Sequence, residues 1–244
     1  MRKPKGLRAA LDRVAHRFRG FSPHTQAQMF WAGLAALCVG FALVLSRSLA
    51  PGSWLVRADE AILSYVAREL RTPFLSAMMT DWSALGSLAL MIVISAVVVV
   101  LLLSIRDPAG AAHLVVTVAA SYVISSHAKE WFVRPRPTLV PQLIHASGFS
   151  YPSGHSVSSA ALYVTLAVLA ARHVATHGAR VVFFALAGLV VALVSFSRVY
   201  LGVHYPSDTL GGSLMGAAWA LVMAAAFSRM YWGPRSRGAR SDAE

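Results

Sequence analysis

The chain has 244 residues, 57% hydrophobic and 13% charged, with a mean hydropathy of +0.59. A soluble domain carries about 25% charged residues; here the apolar residues come in blocks about twenty long, the span of a bilayer core, which excludes a soluble bundle with a polar face on each helix. The net charge of +12 fits membrane topology rather than nucleic acid, because Lys and Arg gather in cytoplasmic loops.

Residues 1–25 hold Arg2, Lys3, Lys5, Arg8, Arg13, Arg17 and Arg19 against Asp12 alone. They read as a topology signal, and Leu7, Leu11, Val14 and Phe18 at helical spacing also allow contact with anionic lipid. No cleaved secretory signal is expected, since no small-residue cleavage site follows cleanly and the next block is long enough to span. The first span is placed at 26–46, with Pro51 and Gly52 breaking it. The single cysteine, Cys38, lies in that block, so neither a disulfide framework nor a thiolate metal site is available. The stretch 54–72 is amphipathic, with Ile62, Tyr65, Val66 and Leu70 on one side and Asp59, Glu60, Arg68 and Arg71 on others, and is expected to lie in the membrane interface.

Further spans are expected at about 82–104, 111–129, 155–171, 181–197 and 209–229, with a proline-rich loop over 130–154. The fold expected is all-α: a polytopic membrane protein with six transmembrane helices and an interfacial helix on the outer side. A basic N-terminal segment (1–25), a six-span domain (26–230) and a basic tail (231–244) divide the chain. Six spans put both termini on one side, and fourteen of the 22 Lys and Arg residues fall there, which makes that side cytoplasmic. No ionisable side chain is expected at the middle of spans two to six, which argues against an ion pump. Gly212-x-x-x-Gly216 is read as close packing within the chain.

Three polar clusters then fall on the outer face. The first holds Lys129, Arg134, Pro135, Arg136 and Pro137; the second is Pro152-Ser153-Gly154-His155; the third runs from Ser197-Arg198 through His204 to Asp208. Phosphoryl transfer needs cations on the equatorial oxygens, an in-line nucleophile and a proton for the leaving oxygen. Lys129, Arg136 and Arg198 can supply the cations, arginine as a fork and lysine as a point charge. Snorkelling at the membrane edge is the plainer reading and suits Arg134, but it does not explain the rigid Arg-Pro-Arg-Pro setting.

Ser153, Gly154 and His155 open a span, where unpaired backbone N–H groups offer an anion seat. Ser153 is also a fair N-cap. His204 and Asp208, four apart, share a face if the chain turns helically near Pro206, and the carboxylate can then fix the imidazole tautomer. Asp208 can also cap span six.

With ten acids in all, of which only Asp208 and Glu130 lie near the clusters, a two-metal site lacks ligands. Walker, G-x-S-x-G and H-E-x-x-H motifs and a cysteine nucleophile beside an arginine are absent. Histidine is left as the nucleophile, with no metal or other cofactor required. A covalent phosphohistidine would divide the hydrolysis into two displacements. The spacing does not decide which of His155 and His204 attacks.

These segments resemble the type 2 phosphatidic acid phosphatase superfamily, the metal-independent lipid phosphate phosphatases, which share their site with glucose-6-phosphatase and vanadium haloperoxidases. The pattern Lys, six residues, Arg-Pro; then Pro-Ser-Gly-His; then Ser-Arg, five residues, His, three residues, Asp is met without departure from Lys129 to Asp208. The resemblance implies His204 as nucleophile, Asp208 as its partner and His155 as general acid. It implies Lys129, Arg136, Ser153, Gly154 and Arg198 as phosphate-binding residues. It also implies a six-helix core, a lipid phosphate that enters sideways from the outer leaflet, and a bacterial inner membrane. Undecaprenyl diphosphate is the first substrate expected; phosphatidylglycerol phosphate, phosphatidic acid and lipid A phosphate are the others. A lipid phosphotransferase is the neighbouring alternative. A vanadate-using haloperoxidase and a transporter are the readings from other classes, opposed by the spans and by the empty midplane.

Overall fold

The computed structural model describes residues 52–232, together with Ala32, Leu34 and Val39. The basic segment 1–25, nearly all of the span expected at 26–46 and the tail beyond 232 lie outside the described residues. Among those described, every regular element is helical: α1 (Trp54–Tyr65), continued by one π-helical turn (Val66–Leu70), α2 (Pro73–Ala84), α3 (Leu88–Ser104), α4 (Pro108–Phe132), α5 (Gly154–Ala171), α6 (His177–Tyr200) and α7 (Pro206–Trp232).

The helix starts follow local chemistry. Ser53, Thr72, Ser87, Asp107 and Thr176 each accept a backbone N–H three residues on, and Pro73 and Pro108 stand in the first turns of α2 and α4. Helices α4 to α7 are each long and apolar enough to cross a bilayer. Helices α2 and α3 meet the same test only taken together, as a pair bent by 49°.

The span expected at 82–104 therefore starts at Pro73 and breaks at 85–87. Ser87 caps the new helix, and Gly86 lies against α5 and α6. A Cβ on Gly86 would come within 2.7 Å of Val194 Cγ1 and 3.3 Å of His155 Cβ. Spans three, five and six likewise run longer than expected, so Ser197 and Arg198 belong to the last turn of α6 and Lys129 to the end of α4.

Helix α5 is the centre of the bundle, with α4, α6 and α7 packed on it. Its Ser156, Val157, Ala160 and Ala161 are buried, and the small side chains let the neighbouring backbones approach. Gly212 and Gly216 of α7 lie directly on α5: a Cβ on Gly212 would meet Ser153 O at 2.8 Å, and one on Gly216 would strike Val157 O. Ser195 of α6 joins Ser156 of α5 and Ser213 of α7 at 3.0 Å each, and Trp219 Nε1 donates to Thr117 O at 3.0 Å. On the outside, Ile92, Val93, Val97, Val100 and Leu101 of α3 are exposed, as lipid-facing side chains are.

One expectation is reversed in α1. Asp59, placed on a polar outer side by the amphipathic reading, is 1% exposed and shares the inward face with Leu63 and Val66. Trp54, Ile62 and Tyr65 face outward. The burial has a partner behind it, described next.

Candidate active site

The ends of α4 and α6, the starts of α5 and α7 and the intervening loops meet at one end of the bundle, and all three polar clusters meet there. Val133, directly after α4, adopts the left-handed conformation (φ 49°), which costs a β-branched residue roughly 1–2 kcal/mol. That turn sends Arg134 inward. Arg136 then crosses to the 201–205 loop, where its Nη1 donates to Val203 O at 2.8 Å and its Nε and Nη2 donate to Gly148 O and Ser147 O at 3.0 and 2.8 Å. Held on three carbonyls, this guanidinium is fixed in place, though less of its fork is free for an anion than the sequence suggested.

Arg136 Nη1 also lies 3.2 Å from His204 Nε2. A guanidinium only donates, so Nε2 accepts and the ring proton is on Nδ1. On that side Nδ1–H reaches Ser150 Oγ at 3.4 Å, and Ser150 Oγ donates to Asp208 Oδ2 at 2.5 Å. The direct distance from Nδ1 to Asp208 Oδ2 is 3.5 Å, so both contacts of Nδ1–H are long for an N–H···O bond. The pair expected from the His204–Asp208 spacing is therefore a long-range one, with Ser150, itself bonded to Asp208, placed between the two. Burial pushes the His204 pKa down to about 4 against the opposing pull of Asp208, so at neutral pH the ring is neutral and its one Nε2 lone pair is the acceptor that Arg136 engages.

Asp208 accepts Tyr205 N–H at 2.8 Å across the first turn of α7, a capping bond. Its other oxygen takes Arg134 Nη1 at 2.5 Å, and Arg134 Nη2 reaches Asp59 Oδ2 at 2.8 Å. Arg134 thus does not snorkel: it is 9% exposed. Burial disfavours its charge, but Asp208 and Asp59 outweigh that and hold its pKa above the ordinary value. Asp59 also accepts from Ser207 N at 2.9 Å and from Ser207 Oγ, which ties α1 to the start of α7.

The remaining expected residues stand at the same end of the bundle. Lys129 Nζ donates to Phe149 O at 2.9 Å, and Gly154 sits so close that a Cβ on it would be 3.9 Å from Lys129 Cε. His155 lies within electrostatic range of Lys129, Arg136, Arg198 and His204. Arg198 Nη1 donates to Ser83 Oγ at 2.6 Å, a contact supplied by α2. Ser153 occupies the N-cap position of α5, yet its side chain makes no capping bond. Its buried Oγ and the buried Nε of Arg198 have no hydrogen-bond partner among the described residues. Buried donors are almost always paired, and these two are free to take an acceptor from outside the protein. Among the described residues no three His, Cys, Asp or Glu side chains stand together as metal ligands would; between Asp59 and Asp208 the cation is Arg134.

The profile of the PAP2 superfamily matches residues 110–232. The chain belongs to the PAP2 superfamily. It is 34% identical over 162 residues to phosphatidylglycerophosphatase B of Bacillus subtilis, covering 65% of this chain and 78% of that protein. It is 33% identical over 99 residues to an undecaprenyl-diphosphatase of Sulfolobus acidocaldarius, covering 40% of this chain and 42% of that one. The crystal structure of a transmembrane PAP2-type phosphatidylglycerolphosphate phosphatase from Bacillus subtilis superposes with a TM-score of 0.72 at 28% identity, covering 78% of this chain and 93% of that one. This PAP2 chain is a multi-pass membrane enzyme, a lipid phosphatase.

Reasoning from the sequence missed Asp59, Ser83, Arg134 and Ser150 in this PAP2 site. For Asp59 a signal existed: it precedes Leu63 by four and Val66 by seven, which puts it on their face of the helix. Ser83 and Ser150 carried no signal, being single serines in unremarkable settings.

Proposed function

We propose that the protein hydrolyses the terminal phosphate of a membrane lipid through a phosphohistidine on His204. The observation that carries this reading is the pair of unpartnered buried donors, Arg198 Nε and Ser153 Oγ, at the end of the bundle where His204 Nε2 faces Arg136. Phosphate oxygens satisfy both donors, with Lys129, Arg136 and the first N–H groups of α5 completing the seat. Arg136 Nη1–H passes from Nε2 to a phosphate oxygen, the freed Nε2 lone pair attacks phosphorus, the bond to the lipid oxygen breaks, and protonated His155 gives that oxygen its proton. Water then attacks the phosphohistidine, His155 takes the proton, the P–N bond breaks and inorganic phosphate leaves.

The site faces the outer side of a bacterial inner membrane, with six spans, the first at 26–46, and both termini cytoplasmic. Exposed Trp54, Phe74 and Trp131 around that end suit an aromatic belt, and α1 then lies at the interface with Asp59 turned inward. Phosphatidylglycerophosphate is the substrate we favour over undecaprenyl diphosphate. The phosphatidylglycerophosphatase relative aligns over more of the chain. In addition, two further cations, Arg71 and Arg134, are already committed: Arg71 to Tyr200 O and Pro141 O, Arg134 to its carboxylates.

The test is phosphate release from a panel of lipid phosphates by the detergent-solubilised chain with EDTA present. Release that survives EDTA and is blocked by vanadate is expected, fastest on phosphatidylglycerophosphate. Release abolished by EDTA would overturn the mechanism, and a preference for undecaprenyl diphosphate would overturn the substrate. Phosphoryl transfer to a second lipid in place of water would make the enzyme a phosphotransferase.

A further inference from the structure

We propose that Arg134, anchored by Asp59, is a positioning residue for the reaction: it fixes the Asp208 carboxylate in the orientation from which that carboxylate and Ser150 together face the His204 ring. The inference rests on the reading of His204 as nucleophile. Asp208 divides its two oxygens between two tasks. Oδ2 accepts Ser150 Oγ and Tyr205 N and faces His204, while Oδ1 takes Arg134 Nη1. A turn of the carboxylate would exchange these partners, and the guanidinium on Oδ1 opposes it.

Arg134 itself is held from several directions. Its Nη2 is on Asp59, its Nη1 also donates to Ser207 Oγ at 2.7 Å, and its Cζ lies 4.2 Å from the centroid of the Tyr205 ring. Only a planar, multi-donor cation spans two carboxylates in this way; an ammonium is a single point charge. Asp59 lies outside the 110–232 stretch matched by the family profile, so the contact brings α1 to the site from beyond that stretch. A purely structural ion cluster is the competing account, and buried pairs are poor sources of net stability.

The two accounts are separated on the full chain in detergent, with phosphatidylglycerophosphate, vanadate and inorganic phosphate as probes. Arg134→Gln is expected to lower kcat by about tenfold or more with KM within about twofold, because Arg134 does not touch the anion seat. Vanadate, which accepts the imidazole nitrogen as an in-line ligand, should bind more weakly in parallel, while inorganic phosphate binds as before. Arg134→Lys should also stay slow. The Asp59→Asn/Arg134→Gln double variant should regain melting temperature lost in Arg134→Gln without regaining kcat. If Arg134→Gln does not fold, the double variant carries the test through the same split between vanadate and phosphate.

Recovery of turnover together with melting temperature, or a rise in KM at unchanged kcat, would overturn the positioning role. So would equal weakening of vanadate and phosphate. A wild-type chain that hydrolyses no lipid phosphate would sink the proposed function, yet the vanadate and phosphate affinities would still report on Arg134.

Discussion

Arg136 Nη1 stands 3.2 Å from Nε2 of His204, and that contact sets which ring nitrogen bears the proton. Because arginine has nothing but donors to offer, the imidazole is held as its Nδ1–H tautomer before substrate arrives. His204→Ala removes the attacking atom. Phosphate release should fall by about 10³-fold or more, and a loss of only a few-fold would refute its role as nucleophile.

Arg136→Lys keeps the charge but gives up the three-carbonyl grip and the contact on Nε2. A drop in kcat of about tenfold to a hundredfold is expected, measured by initial rates on phosphatidylglycerophosphate. Unchanged kinetics would remove Arg136 from the site.

Ser150→Ala removes the hydroxyl placed between His204 Nδ1 and Asp208 Oδ2, leaving them 3.5 Å apart. With no part in phosphate binding, Ser150 should show its loss in kcat, by about tenfold, rather than in KM. A water replacing the hydroxyl would give near-normal kcat, and that result would show the serine to be dispensable.

The buried His204 carries a pH signature in stability. Its folded pKa, near 4, lies below the ordinary value of about 6.5, so the unfolded chain binds the proton first as pH falls. The neutral ring is accommodated without penalty above about pH 6.5, and stability is lost progressively from there down toward about pH 4. The melting temperature of the wild type should therefore fall faster than that of His204→Gln across this window. Parallel curves would refute it.

Gly216→Ala places a methyl group against the carbonyl of Val157 on α5. Overpacking of this kind costs about 1–3 kcal/mol, read as a lower melting temperature in detergent with kcat per folded molecule preserved. An unaltered melting temperature would mean that α7 stands off from α5.

Much of this architecture was legible because apolar blocks of bilayer length announce helices, and because the spacing of Lys129, Arg136, Ser153, His155, Arg198, His204 and Asp208 admits few chemistries. The misreadings have local causes. Arg134 and Arg136 stand two apart with proline between them, and nothing in that string says which turns inward; the backbone of Val133 decides it. Asp59 finds its partner 75 positions away, beyond the reach of any periodicity. Ser153 looked like a cap because serine at a helix start usually is one; only the packed structure leaves its hydroxyl idle. The bend at 85–87 was hidden because Ala84, Leu85 and Gly86 are all compatible with a continuous apolar helix.

The buried clamp has an electrostatic corollary. Lys129, Arg134, Arg136 and Arg198 bring four positive charges to the active-site end of the bundle, and Asp59 and Asp208 return two negative ones. The surplus matches the roughly −1.5 to −2 carried by a phosphate monoester at neutral pH. A bound phosphate monoester thus brings this end of the bundle close to electroneutrality, a balance that an uncharged lipid headgroup cannot supply.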